Sequence, residues 1–390
     1  MDNLIVPLTV AEYFAGIGLV RMGLEPSGWR VIFANDISDK KYEMYKVFFP
    51  DDGQHYKIKD VFDLNTSDIP ATMLATCSFP CIDLSLAGNM NGIDGKHSSA
   101  FWGFVNVLKA QCDDAPPIIL VENVPGWLYS NKGADFRLTV QALNKLGYAC
   151  DVFVLNALRF TPQSRQRVFL VGTKLSVSGI NLKQILQRPH SLSSDTLRKR
   201  LIANKDLIWF YTELPTPPPL LKSGLSGIIE QMDDNDSRWW KEDEVKRHFD
   251  MMSMRHHRMV KMLIDSNHIS YRTFYRRRRV EQQRAEVRQD DIAGCLRTAV
   301  GGSGKQFLIK AGNGHLKMRT MTPREYARLQ GVPDSYPITV NGVHALTGFG
   351  DAVCVPVITW IAQHALSPLV EKYLSKTKNP ETQCREWLTI

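Results

Sequence analysis

Leu8-Thr9-Val10-Ala11-Glu12-Tyr13-Phe14-Ala15-Gly16-Ile17-Gly18 decides how the chain is read. Leu8 to Phe14 reads as a strand. Ala15-Gly16-Ile17-Gly18 then opens a helix that runs through Val20, Met22 and Leu24. Gly16 and Gly18 let the backbone come close to a ligand, and free N–H groups stand at the start of a helix. Leu19, Val20 and Arg21 follow, so only half of a Gly-x-Gly-x-x-Gly fingerprint is present. The pattern predicts a nucleotide or nucleoside site without a committed pyrophosphate cradle.

Outward from that turn, Arg30-Val31-Ile32-Phe33-Ala34 predicts a second strand, ending in Asn35-Asp36. A carboxylate about 20 positions after the glycines is placed to grip ribose hydroxyls. On its own an Asp at a strand end is more often a cap, here for a helix over 38–47, but paired with the glycine turn Asp36 reads better as the ribose anchor. Asp60, in a turn before Val61-Phe62, is a second candidate, for an adenine amino group. Further strands at Pro117–Val121, Ala149–Asn156 and Val168–Gly172 alternate with helices at 100–110 and 135–146. Such alternation predicts an α/β fold with a doubly wound, mainly parallel sheet.

Chemistry enters at Ser78-Phe79-Pro80-Cys81-Ile82-Asp83-Leu84-Ser85. A thiol on a proline-stiffened turn after an apolar run is a candidate nucleophile, whereas an isolated cysteine is commonly a small core hydrophobe. Glu122 ends a wholly apolar strand, where a carboxylate is costly without a partner or a task. In Gln163-Ser164-Arg165-Gln166-Arg167 the two arginines stand at i and i+2 of an extended segment and share a face. Gly88 to Gly95, rich in glycine and asparagine, has the composition of a lid.

After Gly172 the regular pattern stops. Pro215-Thr216-Pro217-Pro218-Pro219 is a stiff connector, and residues 255–288 carry ten Lys/Arg against three Asp/Glu with Tyr271, Phe274 and Tyr275 interleaved. Arg276-Arg277-Arg278-Arg279 within that stretch predicts phosphate contact. Thr322-Pro323-Arg324-Glu325 predicts a capping box closed by Gly331, and a last apolar helix is expected over Ala352–Leu366. Net charge of +8 across 390 residues favours a polyanionic partner. The seven cysteines form no Cys-x-x-Cys pair and no zinc-like cluster, so a reduced compartment and no metal are expected. With no signal pattern at Met1–Pro7 and no apolar run of about 18 residues, a soluble cytoplasmic protein with no membrane partner is expected.

Taken in order, Phe14-Ala15-Gly16-Ile17-Gly18, Asn35-Asp36, Phe79-Pro80-Cys81, Glu122-Asn123-Val124, Gln163-x-Arg165-x-Arg167, Thr322-Pro323-Arg324-Glu325 and Gly350-Asp351-Ala352-Val353 resemble the DNA (cytosine-5) methyltransferases of bacterial or phage type. The resemblance covers residues 8–172 and 290–366. It implies a Rossmann-like S-adenosylmethionine-dependent methyltransferase domain over 1–173, a smaller target-recognition domain over 174–330, and a segment over 331–390 that returns to the first. It implies methyl transfer from S-adenosylmethionine to C5 of a cytosine flipped out of duplex DNA, through a covalent bond between Cys81 and C6. Glu122 would act at N3, with Arg165 and Arg167 holding the base and the carboxylate. Phe14, Gly16, Gly18, Asp36, Ile37, Asp60, Val61, Pro80 and Ala352 would line the cofactor site. Ser85 and Arg276 to Arg279 would meet DNA. A monomer near the nucleoid, with a cognate restriction endonuclease acting separately, completes the expectation.

The sequence departs from the family pattern at Leu19, where glycine is frequent, and at Ile82, where glutamine is common. His97 lies where an arginine is frequent, and Asp351 stands in place of asparagine. A transfer-RNA cytosine-5 methyltransferase on the same scaffold is the nearest alternative. No Cys-Phe-Thr element of that branch occurs between 174 and 320, and the basic segment favours DNA. A non-catalytic DNA-binding protein of the same fold is the other alternative, opposed by the intact Cys81, Glu122 and Arg167.

Overall fold

Strands form where short apolar runs are bounded by turns, and the run around Val10 and Ala11 lies inside the sheet, beside its middle strand. The computed structural model describes residues 8–50, 54–80, 100–174, 182–279, 282–298 and 304–377. Seven strands, β1 (Thr9–Tyr13), β2 (Arg30–Asp36), β3 (Tyr56–Ile58), β4 (Leu74–Cys77), β5 (Ile118–Asn123), β6 (Ala149–Asn156) and β7 (Gln166–Thr173), lie in the order β3-β2-β1-β4-β5-β7-β6. The pairs from β3 through β5 are parallel, and β7 runs antiparallel between β5 and β6. Strand order reverses between β1 and β4, so ligands are expected outside the carboxyl ends there.

Helices cover both faces. On one lie α1 (Leu19–Leu24) and α2 (Asp39–Phe48); on the other, α3 (Ala100–Ala110) and α4 (Ala134–Lys145). Residues 182–212, which include α5 (Leu182–Leu186) and α6 (Asp195–Ala203), add Ile185, Leu197, Leu201 and Trp209 to the core beneath α3 and α4. The expectation from sequence groups this stretch with the smaller unit, yet it packs on the large sheet. Arg188 anchors it, donating to both carboxylate oxygens of Asp151 at 2.6 Å and to the Thr212 carbonyl.

A second sheet is built from β8 (Ser270–Arg279), β9 (Gln282–Val287), β10 (Phe307–Gly312) and β11 (His315–Thr320), all antiparallel in the order β11-β10-β8-β9. Its core of Val260, Phe274, Phe307, Ile309 and Met318 is roofed by α7 (Glu242–Asp250) and α8 (Met254–Ile264). The chain then returns through α9 (Pro323–Leu329), where Thr322 and Glu325 form the expected capping box.

Beyond it α10 (Gly342–Asp351) leads to the helix expected over Ala352–Leu366, which is present as α11 (Val355–Ile361) with a π turn over Ala362–Leu366 and continues into α12 (Ser367–Thr377). Gly348 and Gly350 of α10 permit close approach. A Cβ on Gly350 would lie 2.2 Å from the Arg297 carbonyl oxygen. Helix α11 lies on α1, whose Gly23 leaves room for Ile358, and Thr359 donates to the Gly23 carbonyl at 2.9 Å. The apolar 342–372 segment is thus largely buried within the protein.

Two stability predictions follow from buried charge. Asp151→Ala leaves the Arg188 cation buried without its counter-ion and should cost about 3–5 kcal/mol in urea unfolding. Glu12, buried in β1, has its carboxyl pushed up from 4.5 to about 8 chiefly by loss of water, with Arg21 acting in the opposite sense. Between those values the native carboxyl is protonated and the unfolded one ionised, so stability falls as pH rises through the window. The slope reaches about 1.4 kcal/mol per pH unit. Glu12→Gln should flatten it; an unchanged slope would refute the assignment.

Candidate active site

The carboxyl edge of β1 and β2 forms the first half of the site. Phe14 takes a positive φ of 59°, Gly16 57° and Gly18 81°, which turns the chain sharply off β1 before α1. Asp36, buried at the end of β2, fixes that turn. One carboxylate oxygen accepts from the Gly16 N–H and the other from the Ser38 N–H, both at 2.9 Å. Ser38, not Asp36, caps α2, its hydroxyl accepting from Lys41. Each oxygen of an ionised carboxylate accepts about two bonds, so Asp36 keeps capacity toward the cleft. Tyr56 donates to the Gly16 carbonyl at 3.0 Å, and Asn35 spans to the Lys57 and Lys59 carbonyls, tying β2 to β3.

Ile37, beside Asp36, is 68 % exposed, an apolar side chain free to cover a planar ring. Asp60 turns one oxygen back onto the Phe62 N–H at 3.1 Å. Val61 is buried with its side chain against Gly103, so main chain is what it can offer a ligand. The bare Gly16, the Asp36 carboxylate and exposed Ile37 together fit an adenosine-bearing cofactor. Among the described residues no cluster of three or more His, Cys, Asp or Glu is arranged to hold a metal.

The second half lies on β4, β5 and β7. Glu122 is 8 % exposed, and Arg167 meets it with Nε 2.9 Å from its carboxylate. The two belong to antiparallel neighbours: Glu122 sits opposite Phe169, two residues from Arg167, so both side chains leave the same face. Asn123 donates to the Phe79 carbonyl at 3.3 Å, and Phe79 packs near Phe101 and Trp127. The segment leading to the expected nucleophile is therefore held beside Glu122. Cys81 itself and Ser85 lie outside the described residues, as do the expected lid, Ile82 and His97. Pro80 is described and exposed. Cys77, at the end of β4, is buried, and burial pushes its thiol well up.

Arg165 does not join Arg167 on Glu122. Its guanidinium is buried and donates to the carbonyls of Leu296 at 2.8 Å, Gly350 at 3.3 Å and Ala352 at 2.7 Å. These bonds assign it to the joint between segments, and they engage the carbonyl of Ala352. Cys295 lies between the arginines, its sulfur 3.6 Å from Arg165 Nη1 and 3.9 Å from Arg167 Nη1. Burial works to raise this thiol, but Arg165, Arg167 and Arg297 outweigh it and leave the thiol below its ordinary value. Sequence reasoning missed Cys295, because its partners stand about 130 residues away.

The arginine run is divided by the strand. Arg277 and Arg279 share the face of Tyr275 and both reach Glu286, at 3.3 and 2.6 Å. Arg276 lies over the Phe307 ring on the opposite face, and Arg278 is exposed. Tyr275 donates to the Cys295 carbonyl at 2.6 Å, so the Arg277 face adjoins the edge that carries Arg165 and Arg167.

Comparison with known proteins agrees with this geometry. The model of the C-5 cytosine-specific DNA methylase family matches residues 8–367. The chain is 28% identical over 359 residues to the type II methyltransferase M.HaeII of Haemophilus aegyptius, covering 92% of each chain. It is 23% identical over 381 residues to M.HhaI of Haemophilus parahaemolyticus, covering 94% of this chain and 97% of that one. Among solved structures, the S. pombe Dnmt2 methyltransferase superposes with a TM-score of 0.59 at 20% identity, covering 93% of this chain and 98% of that one, which bears on fold alone. The chain belongs to the C-5 cytosine-specific DNA methylase family and is a DNA (cytosine-5) methyltransferase that uses S-adenosylmethionine.

Proposed function

We propose that this enzyme methylates a cytosine within a specific duplex sequence, with Cys81 as nucleophile, Glu122 as the group acting at N3 and Arg167 as the residue that orients Glu122. The Glu122–Arg167 contact, beside the tethered approach to Cys81, is the observation that carries this reading. Cytosine C5 is too weak a nucleophile unless the ring is first made enamine-like. Thiolate addition at C6 does so, and protonation or hydrogen bonding at N3 by Glu122 stabilises the charge that develops. Bound on Phe14, Gly16, Gly18, Asp36, Ile37 and the Asp60-Val61 main chain, S-adenosylmethionine supplies an electrophilic methyl group. Loss of the C5 proton and departure of the Cys81 sulfur then restore the ring. C6 and N3 are inaccessible in the stack, so the base is flipped out at a cost of a few kcal/mol.

Residues 1–173 and 331–390 carry catalysis and 174–330 read the target, with 182–212 acting as a buttress on the catalytic sheet. Arg277, Arg278 and Arg279 contact the DNA backbone. Arg276, packed over Phe307, supports that strand, and Arg165 positions rather than reacts. The type II methyltransferases among its relatives support action alongside a separate cognate endonuclease. The enzyme works as a cytoplasmic monomer at the nucleoid.

Duplex DNA carrying 5-fluorocytosine at the target should trap a covalent complex, since fluorine cannot leave as a proton. Cys81→Ala should bind the same duplex, form no adduct and incorporate no methyl group; an adduct with that variant would refute the role of Cys81. Arg167→Ala should lower kcat on the order of 100-fold, the scale of losing one preorganised charged donor, with S-adenosylhomocysteine affinity retained. Methyl incorporation into transfer RNA but not duplex DNA would overturn the substrate assignment.

A further inference from the structure

Lys41 and Asp351 form an ion pair that the catalytic reading leaves unused. Lys41 belongs to α2 and Asp351 to the end of α10, yet Lys41 Nζ stands 3.1 Å from an Asp351 carboxylate oxygen. The other oxygen of Asp351 accepts from the Thr298 hydroxyl at 2.6 Å. Both side chains are partly covered, at 25% and 31% of full exposure. The lysine stem passes over the glycine turn: a Cβ built on Gly16 would have Lys41 Cδ and Asp36 as its near neighbours, at 3.8 and 4.0 Å.

The cation and anion therefore sit at the rim of the cleft whose floor is Gly16 and whose ribose anchor is Asp36. A partly desolvated ion pair gains little stability by itself, because lost hydration offsets the attraction. Burial acts to lower the Lys41 pKa, but Asp36 and Asp351 together outweigh it, so the ammonium stays charged. A ligand carrying a carboxylate and an ammonium on one carbon matches this pair, each charge facing its opposite.

The geometry points to Lys41 as a further cofactor-binding residue, held by Asp351, that recognises the zwitterionic amino-acid end of the cofactor. This rests on the assignment of the Gly16–Asp36 cleft to S-adenosylmethionine. Lys41 meets the α-carboxylate while Asp351, kept in place by Thr298, faces the α-ammonium. The arrangement makes the amino-acid arm a determinant of affinity, with the nucleoside bound independently through Asp36.

Two ligands separate the possibilities by calorimetry on the full chain. S-adenosylhomocysteine carries the amino-acid arm, and 5′-methylthioadenosine has the same nucleoside without it. Lys41→Met should weaken S-adenosylhomocysteine at least tenfold and leave 5′-methylthioadenosine within twofold, which also shows that the variant is folded. Lys41→Arg should recover most of the loss. Asp351→Asn, which frees Lys41 but removes the anion, should weaken S-adenosylhomocysteine less than Lys41→Met does. An unchanged ratio between the two ligands in Lys41→Met would overturn the role of Lys41 while leaving the cleft assignment intact. If the unmodified protein bound neither ligand, the cleft assignment itself would fall.

Discussion

A buried guanidinium is tolerable only where acceptors surround it, and Arg165 meets that constraint with backbone from two distant parts of the chain. Leu296 lies on the segment leaving the small sheet, and Gly350 and Ala352 end the helix that returns to the large one. Withdrawing any of these carbonyls would leave a cation in a medium that solvates it poorly. The approach is close enough that Gly350 has no room for a Cβ against the Arg297 carbonyl. Gln163, two residues earlier, repeats the device, donating to the Leu329 carbonyl and accepting from the Leu296 N–H. Alternate positions entering β7 thus join segments at 163 and 165 and hold the Glu122 carboxylate at 167. The buried Glu122 carboxylate owes its orientation to the same strand edge that holds these segments together.

This division explains what the sequence disclosed. Strand β6 was legible residue for residue, because an apolar run with turns at both ends admits few readings. The Thr322 capping box was legible too, since its partners are three residues apart. Glu122 stood out as a carboxylate ending an apolar strand. Arg165 and Cys295 did not disclose their roles, because those depend on contacts 128 to 187 residues away that no local pattern encodes. Helix α10 was hidden for another reason: Gly348 and Gly350 are poor helix formers, whereas here they let Ile17, Met44 and the Arg297 backbone come close. Asp36 read as either ribose anchor or helix cap, and the cap proved to be Ser38.

Charge on the small sheet is organised rather than merely abundant. Arg277 and Arg279 share Glu286, which fixes both guanidinia on one face, and exposed pairs of this kind contribute little to stability. Such pairing preorganises a side chain, and one already held in place loses less freedom on meeting any anion. A polyanion that displaces counter-ions from such a face binds with a strong dependence on salt.

The pairing of α11 with α1 sets an order on synthesis. Helix α1, which with α2 covers one face of the large sheet, is itself covered by α11, whose Thr359 bonds the Gly23 carbonyl from 336 positions later. A ribosome making this chain from its amino terminus exposes the apolar side of α1 long before α11, its cover, exists. Closing so large a loop also slows the search for the native arrangement. The packing around the large sheet can therefore be completed only once α11 has been made, and until then the nascent chain presents the apolar side of α1 to whatever chaperones attend it.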